Sequence, residues 1–321
     1  MRRWLAPLCL AIGGLGCAHA PALPEGPTRG RVLLVLESDG ASELHVLDRD
    51  GARRVGNVAP REARWVTPDT ILVVVEAPAE EEFHLPSTRL RLVDAGGRPR
   101  GGLGGPGRHY DVEPSPDGAW LAVGVEAPGV GDSDLEIWSL ETRERVASRA
   151  QSFEEPRWRP DGRALVASVL MADPESDDDL GGSMLGSSLH WPRLHRIRRD
   201  LGDPSFLWDG ADARSLAPGG SLALWWDADG VFARQRGGLV RCDPMTGGCR
   251  AVFTPDADRR VVDGRRVGPH EAWLLTVEAS DAFDRRQPDQ LLRVDLRDGR
   301  VLSRWRTPAG VTIREIDAIG D

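Results

Sequence analysis

Ser115-Pro116-Asp117-Gly118-Ala119-Trp120-Leu121-Ala122-Val123 is the stretch on which the fold turns. Pro presets φ, Asp bonds to the nearby backbone and Gly accepts a positive φ, so the first four residues form a tight turn. The apolar run after them forms a strand. The pattern recurs. Thr67-Pro68-Asp69-Thr70 precedes ILVVV, Arg159-Pro160-Asp161-Gly162 precedes RALVASVL, Ala217-Pro218-Gly219-Gly220 precedes SLALWW, and Gly268-Pro269-His270-Glu271 precedes AWLLTV. The five prolines are 48, 44, 58 and 51 residues apart.

A second mark follows each run, a short strand ending in a polar turn: LHVLDRDG, LRLVDAGG, LEIWSLET, LHRIRRD, LVRCDPMTGG and LLRVDLRDG. The repeating unit is therefore four strands, A to D, with the Pro-Asp-Gly turn between A and B. A four-stranded unit of this length is one propeller blade. The first unit lacks a strand A, and Val311 to Ile319 is strand-like. The expected fold is all-β, a six-bladed β-propeller of four-stranded blades, closed by the C-terminal strand completing the first blade. Closure removes open sheet edges.

Ser115 to Val123 and Trp158-Arg-Pro-Asp-Gly-Arg-Ala-Leu-Val166 resemble the repeats of TolB-type propellers, relatives of the WD-repeat proteins. The likeness covers residues 30–321. It is specific for the fold and says little about function. The residues ahead of the repeats leave no room for the amino-terminal domain that TolB carries. Prolyl-oligopeptidase-like enzymes pair a similar propeller with a hydrolase domain, and no G-x-S-x-G nucleophile elbow occurs here.

Residues 1–16 read as an export signal, with Arg2 and Arg3 before an apolar stretch too short to span a bilayer. Gly14-Leu15-Gly16-Cys17 resembles a bacterial lipobox, with Leu15 one place late; it implies lipidation of Cys17 and an outer-membrane lipoprotein facing the periplasm. The alternatives are cleavage after Ala18-His19-Ala20, which Pro21 disfavours, and a retained anchor. Residues 17–30 form a Pro-rich tether and 31–321 the propeller. Because the first strand starts at the A–B turn, the tether places the regular-turn face towards the membrane.

Cys242 and Cys249 flank Asp-Pro and Gly-Gly turn residues, so they face each other across a hairpin and suit a disulfide, worth about 2.5 kcal/mol for so short a loop. Zinc is the alternative, with two of the four ligands it needs.

The chain has 321 residues, 50 acidic and 41 basic, and a net charge of −9; every basic residue is Arg. Without a cationic block it is a poor partner for nucleic acid. The acids gather in the B–C loops, read as long and variable: Glu37 and Asp39; Glu76, Glu80, Glu81 and Glu82; Glu126, Asp132 and Asp134; Asp173, Glu175, Asp177, Asp178 and Asp179; Asp227 and Asp229; Glu278, Asp281, Asp284 and Asp289. With the D–A loops, which include Glu62, this face holds 25 acids against 9 arginines. It is expected to attract a cationic envelope protein or divalent cations by long-range steering, with Trp191 as a contact residue. The bland alternative is a solvated face.

Asp173 to Asp179 alternates carboxylates as a calcium loop does, but lacks the Gly and distal Glu of an EF-hand. No cofactor is expected. His190 and His195 lack a third ligand at a diagnostic spacing, and Gly102 to Gly107 matches G-x-G-x-x-G in the wrong context and reads as an inter-blade loop. Trp120, Trp138, Trp158, Trp225 and Trp273 read as core. The expected function is non-enzymatic: a monomeric scaffold module, bound to the membrane only through lipid. The alternative is a metal-dependent propeller enzyme, lactonase-like or quinone-dependent sugar dehydrogenase-like. Bound calcium or zinc favours the enzyme; a stable co-purifying protein favours the scaffold.

Overall fold

The Pro-Asp-Gly segments form the turns their chemistry dictates. Gly118 and Gly162 both take φ +68. Gly118 N donates to Ser115 O at 2.9 Å and Gly162 N to Arg159 O at 2.8 Å. The Asp117 carboxylate accepts from Ala119 N, and that of Asp161 from Arg163 N. A computed structural model describes residues 23–27, 29–77, 87–126, 133–150, 153–170, 192–198, 221–243, 246, 248–279 and 288–320.

The described residues are all-β. β1 (Arg31–Ser38), β2 (Ala41–Asp48) and β3 (Gly51–Arg54) form consecutive hairpins. β4 (Pro60–Thr67), β5 (Thr70–Glu76), β6 (Thr88–Asp94) and β7 (Pro99–Pro114) form the next antiparallel set. β7 is long: its first half pairs with β6, and its second half opens the following set with β8 (Trp120–Glu126), β9 (Ser133–Ser139) and β10 (Arg145–Ala150). A three-stranded sheet follows, β11 (Phe153–Trp158), β12 (Ala164–Leu170) and β13 (Pro192–Arg198). Then come β14 (Ser221–Asp227), β15 (Gly230–Gln235), β16 (Gly238–Cys242) and β17 (Cys249–Phe253). The last set is β18 (Arg259–Gly268), β19 (Glu271–Glu278), β20 (Gln290–Asp295) and β21 (Arg300–Arg306). The strand expected to complete the first set does so: β22 (Val311–Ile319) pairs antiparallel with β1, from Arg31↔Ile319 to Ser38↔Val311.

Both faces of these sheets are buried, which is why β5 reads as an unbroken apolar run. Ile71, Val73 and Val75 pack against Leu33, Val35 and Leu44, while Leu72 and Val74 on the opposite face pack with Leu121 and Val123. The same interleaving continues between successive sheets and brings the last against the first, where Trp273 and Leu275 meet Val32 and Leu34. Trp158, Trp225 and Trp273 are buried, and Trp120 and Trp138 pack partly buried against the core, as their strand positions predict. The innermost strands touch in the order β22, β4, β7, β11, β14, β18 and again β22.

Four expectations are corrected. Pro218 lies outside the described residues, but β14, which follows it, is itself innermost, so the A–B turn of this unit is Asp227-Ala-Asp-Gly230. Asp229 N donates to Asp227 there at 2.7 Å, so Asp227 and Asp229 belong to the regular-turn face. Glu62 lies on innermost strand β4 rather than in a loop. The B–C connections are not uniformly long, since Asp39-Gly40 and Arg236-Gly237 are two-residue turns with positive φ at both positions. Gly102 to Gly107 is part of β7 rather than a loop. A Cβ on Gly104, at φ +60, would sit 2.7 Å from the Trp138 ring, so glycine lets this outer strand lie against the next sheet.

Candidate functional site

Each innermost strand carries a β-bulge, an extra residue that rotates the side chains beyond it. The register shifts lie at Pro60/Glu62 in β4, Tyr110/Glu113 in β7, Glu154/Arg157 in β11, Ala223/Trp225 in β14 and Val261/Asp263 in β18, and opposite Val35/Leu36 in β22. Beside the bulge, five of these strands carry an acid and, two residues on, a second charge: Glu62 and Arg64, Asp111 and Glu113, Glu155 and Arg157, Asp263 and Arg265, Glu315 and Asp317. Positions two apart share a face of a strand, and these converge on the molecular axis.

The acids stitch β18 to β22, β22 to β4, β4 to β7 and β7 to β11. Asp263 accepts from Ile316 N at 3.2 Å, Asp317 from Trp65 N at 2.7 Å, Glu62 from Val112 N at 3.2 Å and Asp111 from Glu155 N at 3.0 Å. β14 has Ala223 and Trp225 in place of charges, and its Leu224 carbonyl accepts from Arg157 at 2.7 Å and Arg265 at 2.5 Å. Glu113 is the hub across the axis, with Arg157 and Arg265 at 3.4 Å and Arg64 at 3.5 Å. Arg64 also meets Glu315 at 2.5 Å, and Arg265 meets Asp317 at 3.0 Å.

Ionisation follows from this crowding. Burial works against the charge on Asp263, but Arg265, Arg64 and Arg157 outweigh it and hold the carboxyl below its ordinary range. Burial also opposes the Arg64 charge, which Glu315, Asp317 and Glu113 more than restore. Burial pushes Glu62 up to about 7, with Asp111 adding to the rise. Burial pushes Glu155 up to about 7 against the pull of Arg234, which lies at 3.2 Å. Burial likewise raises Glu315, despite Arg64.

A carboxyl whose folded pKa is raised binds a proton that the unfolded chain has already lost, so its ionisation costs stability. The free energy of unfolding is therefore expected to fall as pH rises from about 4.5 to about 7, the window of Glu62 and Glu155. Burial holds His109 below its ordinary value, which acts in the opposite direction. Urea titrations of wild type and E62Q/E155Q across this range isolate the carboxyl contribution; an identical slope in both proteins would contradict it.

Above the cluster, on the regular-turn face, opens a cavity of about 530 Å³. Its floor is Glu113, Arg265 and Asp317, and its walls include Trp158, Trp225 and Trp226. The expected disulfide is present, Cys242 lying in register with Cys249. Cys17, Glu80, Glu81, Glu82, Asp173, Glu175, Asp177, Asp178, Asp179, His190 and Trp191 lie outside the described residues, and His195 is on β13. Among the described residues no group of three His, Cys, Asp or Glu side chains is arranged to hold a metal ion.

Apart from Glu62, counted there with the loop acids, the axial charges were not among the candidates drawn from sequence. A signal for them exists: Arg157 stands five residues before the turn Gly162, and Glu113 five before Gly118. The same spacing from Gly230 gives Trp225, and Trp226-Asp-Ala-Asp-Gly230 matches Trp158-Arg-Pro-Asp-Gly162, which also locates the true A–B turn.

Antiparallel sheets packed face to face around a shared set of innermost strands define the propeller class of fold. Solved structures agree. The putative TolB from Agrobacterium tumefaciens matches at a TM-score of 0.54 and 12% identity, over 92% of this chain and 100% of that one. Prolyl oligopeptidase B from Galerina marginata, in its complex with a 35mer substrate, matches at 0.52 and 9%, over 86% of this chain and 42% of that one. TolB from Acinetobacter baumannii matches at 0.47 and 19%, over 90% of this chain and 66% of that one. No protein-family model and no curated protein matches the chain. The shared property is the TolB-like propeller fold.

Proposed function

We propose that this protein is a non-enzymatic, six-bladed propeller of the bacterial cell envelope that binds other proteins as a scaffold module. In this reading residues 1–16 direct export, Cys17 carries the lipid anchor on the outer membrane, and the propeller works in the periplasm without a cofactor. The Cys242–Cys249 disulfide supports an oxidising compartment. The order of contacts among the innermost strands supports six blades.

The observation that carries a binding role over a catalytic one is the use made of the axial charges. The carboxylates of Asp263, Asp317, Glu62 and Asp111 each accept a backbone N–H of a neighbouring innermost strand, and Glu113 is shared by three guanidinium groups. These charges hold the ring together. What the ring presents is its connections, and the longer ones among the B–C set, 77–87, 127–132, 171–191 and 279–289, leave from one face. With Asp227 and Asp229 moved to the other face, this surface keeps its acidic excess.

Charge reversal at Glu80–Glu82 and Asp177–Asp179 is expected to weaken capture of a cationic partner by the tagged protein in envelope extracts. Capture by wild type is expected to fall as salt rises, because exposed charges are screened. Capture that is unchanged by the reversal and insensitive to salt would overturn the assignment of this face. Stoichiometric calcium or zinc in the purified protein, with no co-purifying protein, would favour an enzyme instead.

A further inference from the structure

The first sheet has a short outer wall. β3 pairs only with His45 to Asp48 of β2, and Val55 N to Leu44 O adds one more backbone bond. Ala41 to Glu43 therefore have no outer strand beside them among the described residues. A cleft of about 850 Å³ is left there, between β2 and the outer strands β6 and β7 of the next sheet. Every residue of β6 from Arg89 to Val93 lines it, so the cleft follows that strand for about 13 Å.

This cleft is cationic in an acidic protein. Arg61, Arg89 and Arg91 line it against one carboxylate, Glu76, which lies 4.0 Å from Arg61. Arg89 and Arg91 have no hydrogen-bond or ion-pair partner among the described residues. In the register Arg89 opposes Val75 and Arg91 opposes Val73, and directly opposed residues share a face. Val73 and Val75 face Leu44 and Val46 of β2, so both arginines project towards the first sheet. The neighbouring carboxylates are turned away. Glu43 alternates with Ser42 and Leu44, lies on the other face of β2 and pairs with Arg54 at 2.7 Å. Asp94 accepts from Gly96 N and Arg98 N in its own turn, both at 2.9 Å.

Apart from Ser42 and Asn57, the rest of the lining is apolar or glycine, and it includes Ala41, Val58, Ala59 and Val75. The stems of Arg89 and Arg91 add to this surface. Cavities of this size, apolar with a few placed polar groups, are the usual sites for small organic molecules. An inorganic anion would leave most of the cleft unfilled, and an uncharged chain would leave the two guanidinium groups unanswered. We infer that the cleft binds a single-chain amphiphilic anion, with its charged head on Arg89 and Arg91 and its apolar chain along β6. This site is separate from the axial cavity, and it does not depend on the scaffold reading.

The test uses the intact, disulfide-bonded protein and dansyl-labelled undecanoate, whose fluorescence rises when it leaves water. Wild type is expected to bind the dye saturably, and dodecanoate to displace it, while acetate and the methyl ester of dodecanoate do not. R89Q/R91Q, at two exposed positions, is expected to bind about tenfold more weakly or worse. Ser42→Phe fills the cleft without touching its charges and is expected to weaken binding as well; R163Q, on an exposed turn outside the cleft, leaves it unchanged. Thermal transitions that match wild type establish that the variants are folded. Equal affinity in wild type and R89Q/R91Q, or unchanged binding in Ser42→Phe, overturns the site. Displacement by the methyl ester as readily as by dodecanoate overturns the charged head, and displacement by acetate overturns the apolar chain. If dodecanoate does not displace the dye while phosphatidylglycerol vesicles retain the protein, the single-chain assignment fails in favour of a bilayer surface.

Discussion

Ending the chain at Gly310, so that β22 is removed, is expected to abolish cooperative folding. β22 lies against all eight residues of β1, and five of those, Val32 to Leu36, are buried hydrophobics. Without it, β1 presents a long, flat, apolar edge, the kind that pairs with other chains. The loss extends beyond one sheet. Ile313 and Ile316 leave the cluster built around Trp273 and Leu275. Trp65 N loses its acceptor on Asp317, and Arg64 and Arg265 lose Glu315 and Asp317. The expected result is a protein without a cooperative thermal transition that elutes as aggregate in size-exclusion chromatography. A synthetic peptide covering 308–321, added during refolding, is expected to restore part of the soluble monomer. A truncated protein that melts cooperatively as a monomer would show that β22 is dispensable.

Arg265→Ala is expected to lower the free energy of unfolding by about 3–5 kcal/mol, the usual cost of leaving a buried charge without its partner. Arg265 is the side chain that crosses the axis: it meets Asp317 at 3.0 Å, Glu113 at 3.4 Å and Asp263 at 3.5 Å, and donates to Leu224 O. Its removal leaves these carboxylates crowded together in a site that burial already makes unfavourable for anions. Arg163→Ala, on an exposed turn, is the control and is expected to change stability by no more than about 0.5 kcal/mol. Urea unfolding curves of wild type and the two variants at neutral pH decide the matter. Equal stabilities would show that the axial network contributes nothing net.

Much of the fold is legible along the chain because its signals are local. The turn after Ser115, the apolar alternation of β1 and β5, and the pairing of Cys242 with Cys249 each depend on residues a few positions apart. The misplaced turn in the unit of β14 shows the limit of such signals. Ala217-Pro-Gly-Gly220 and Asp227-Ala-Asp-Gly230 are both good turns by residue type, and what separates them is which strand meets β11 and β18. The two-residue turns at Asp39-Gly40 and Arg236-Gly237 could have been read as hairpins.

The axial site lay beyond local reading for a different reason. Glu62, Glu113, Arg157, Arg265 and Asp317 are dispersed over five strands, and each alone reads as a solvent-facing charge in a strand. They become one buried network only when the innermost strands come together and the bulges aim those side chains inward. By itself the sequence determined the repeat, the strand order within most units, the closing strand and the disulfide, since turn chemistry and period-2 burial act over short separations. Only the tertiary structure decided which charges are buried and which are consumed in holding the strands together, because desolvation and Coulomb energy depend on distances in space that the order of residues does not contain.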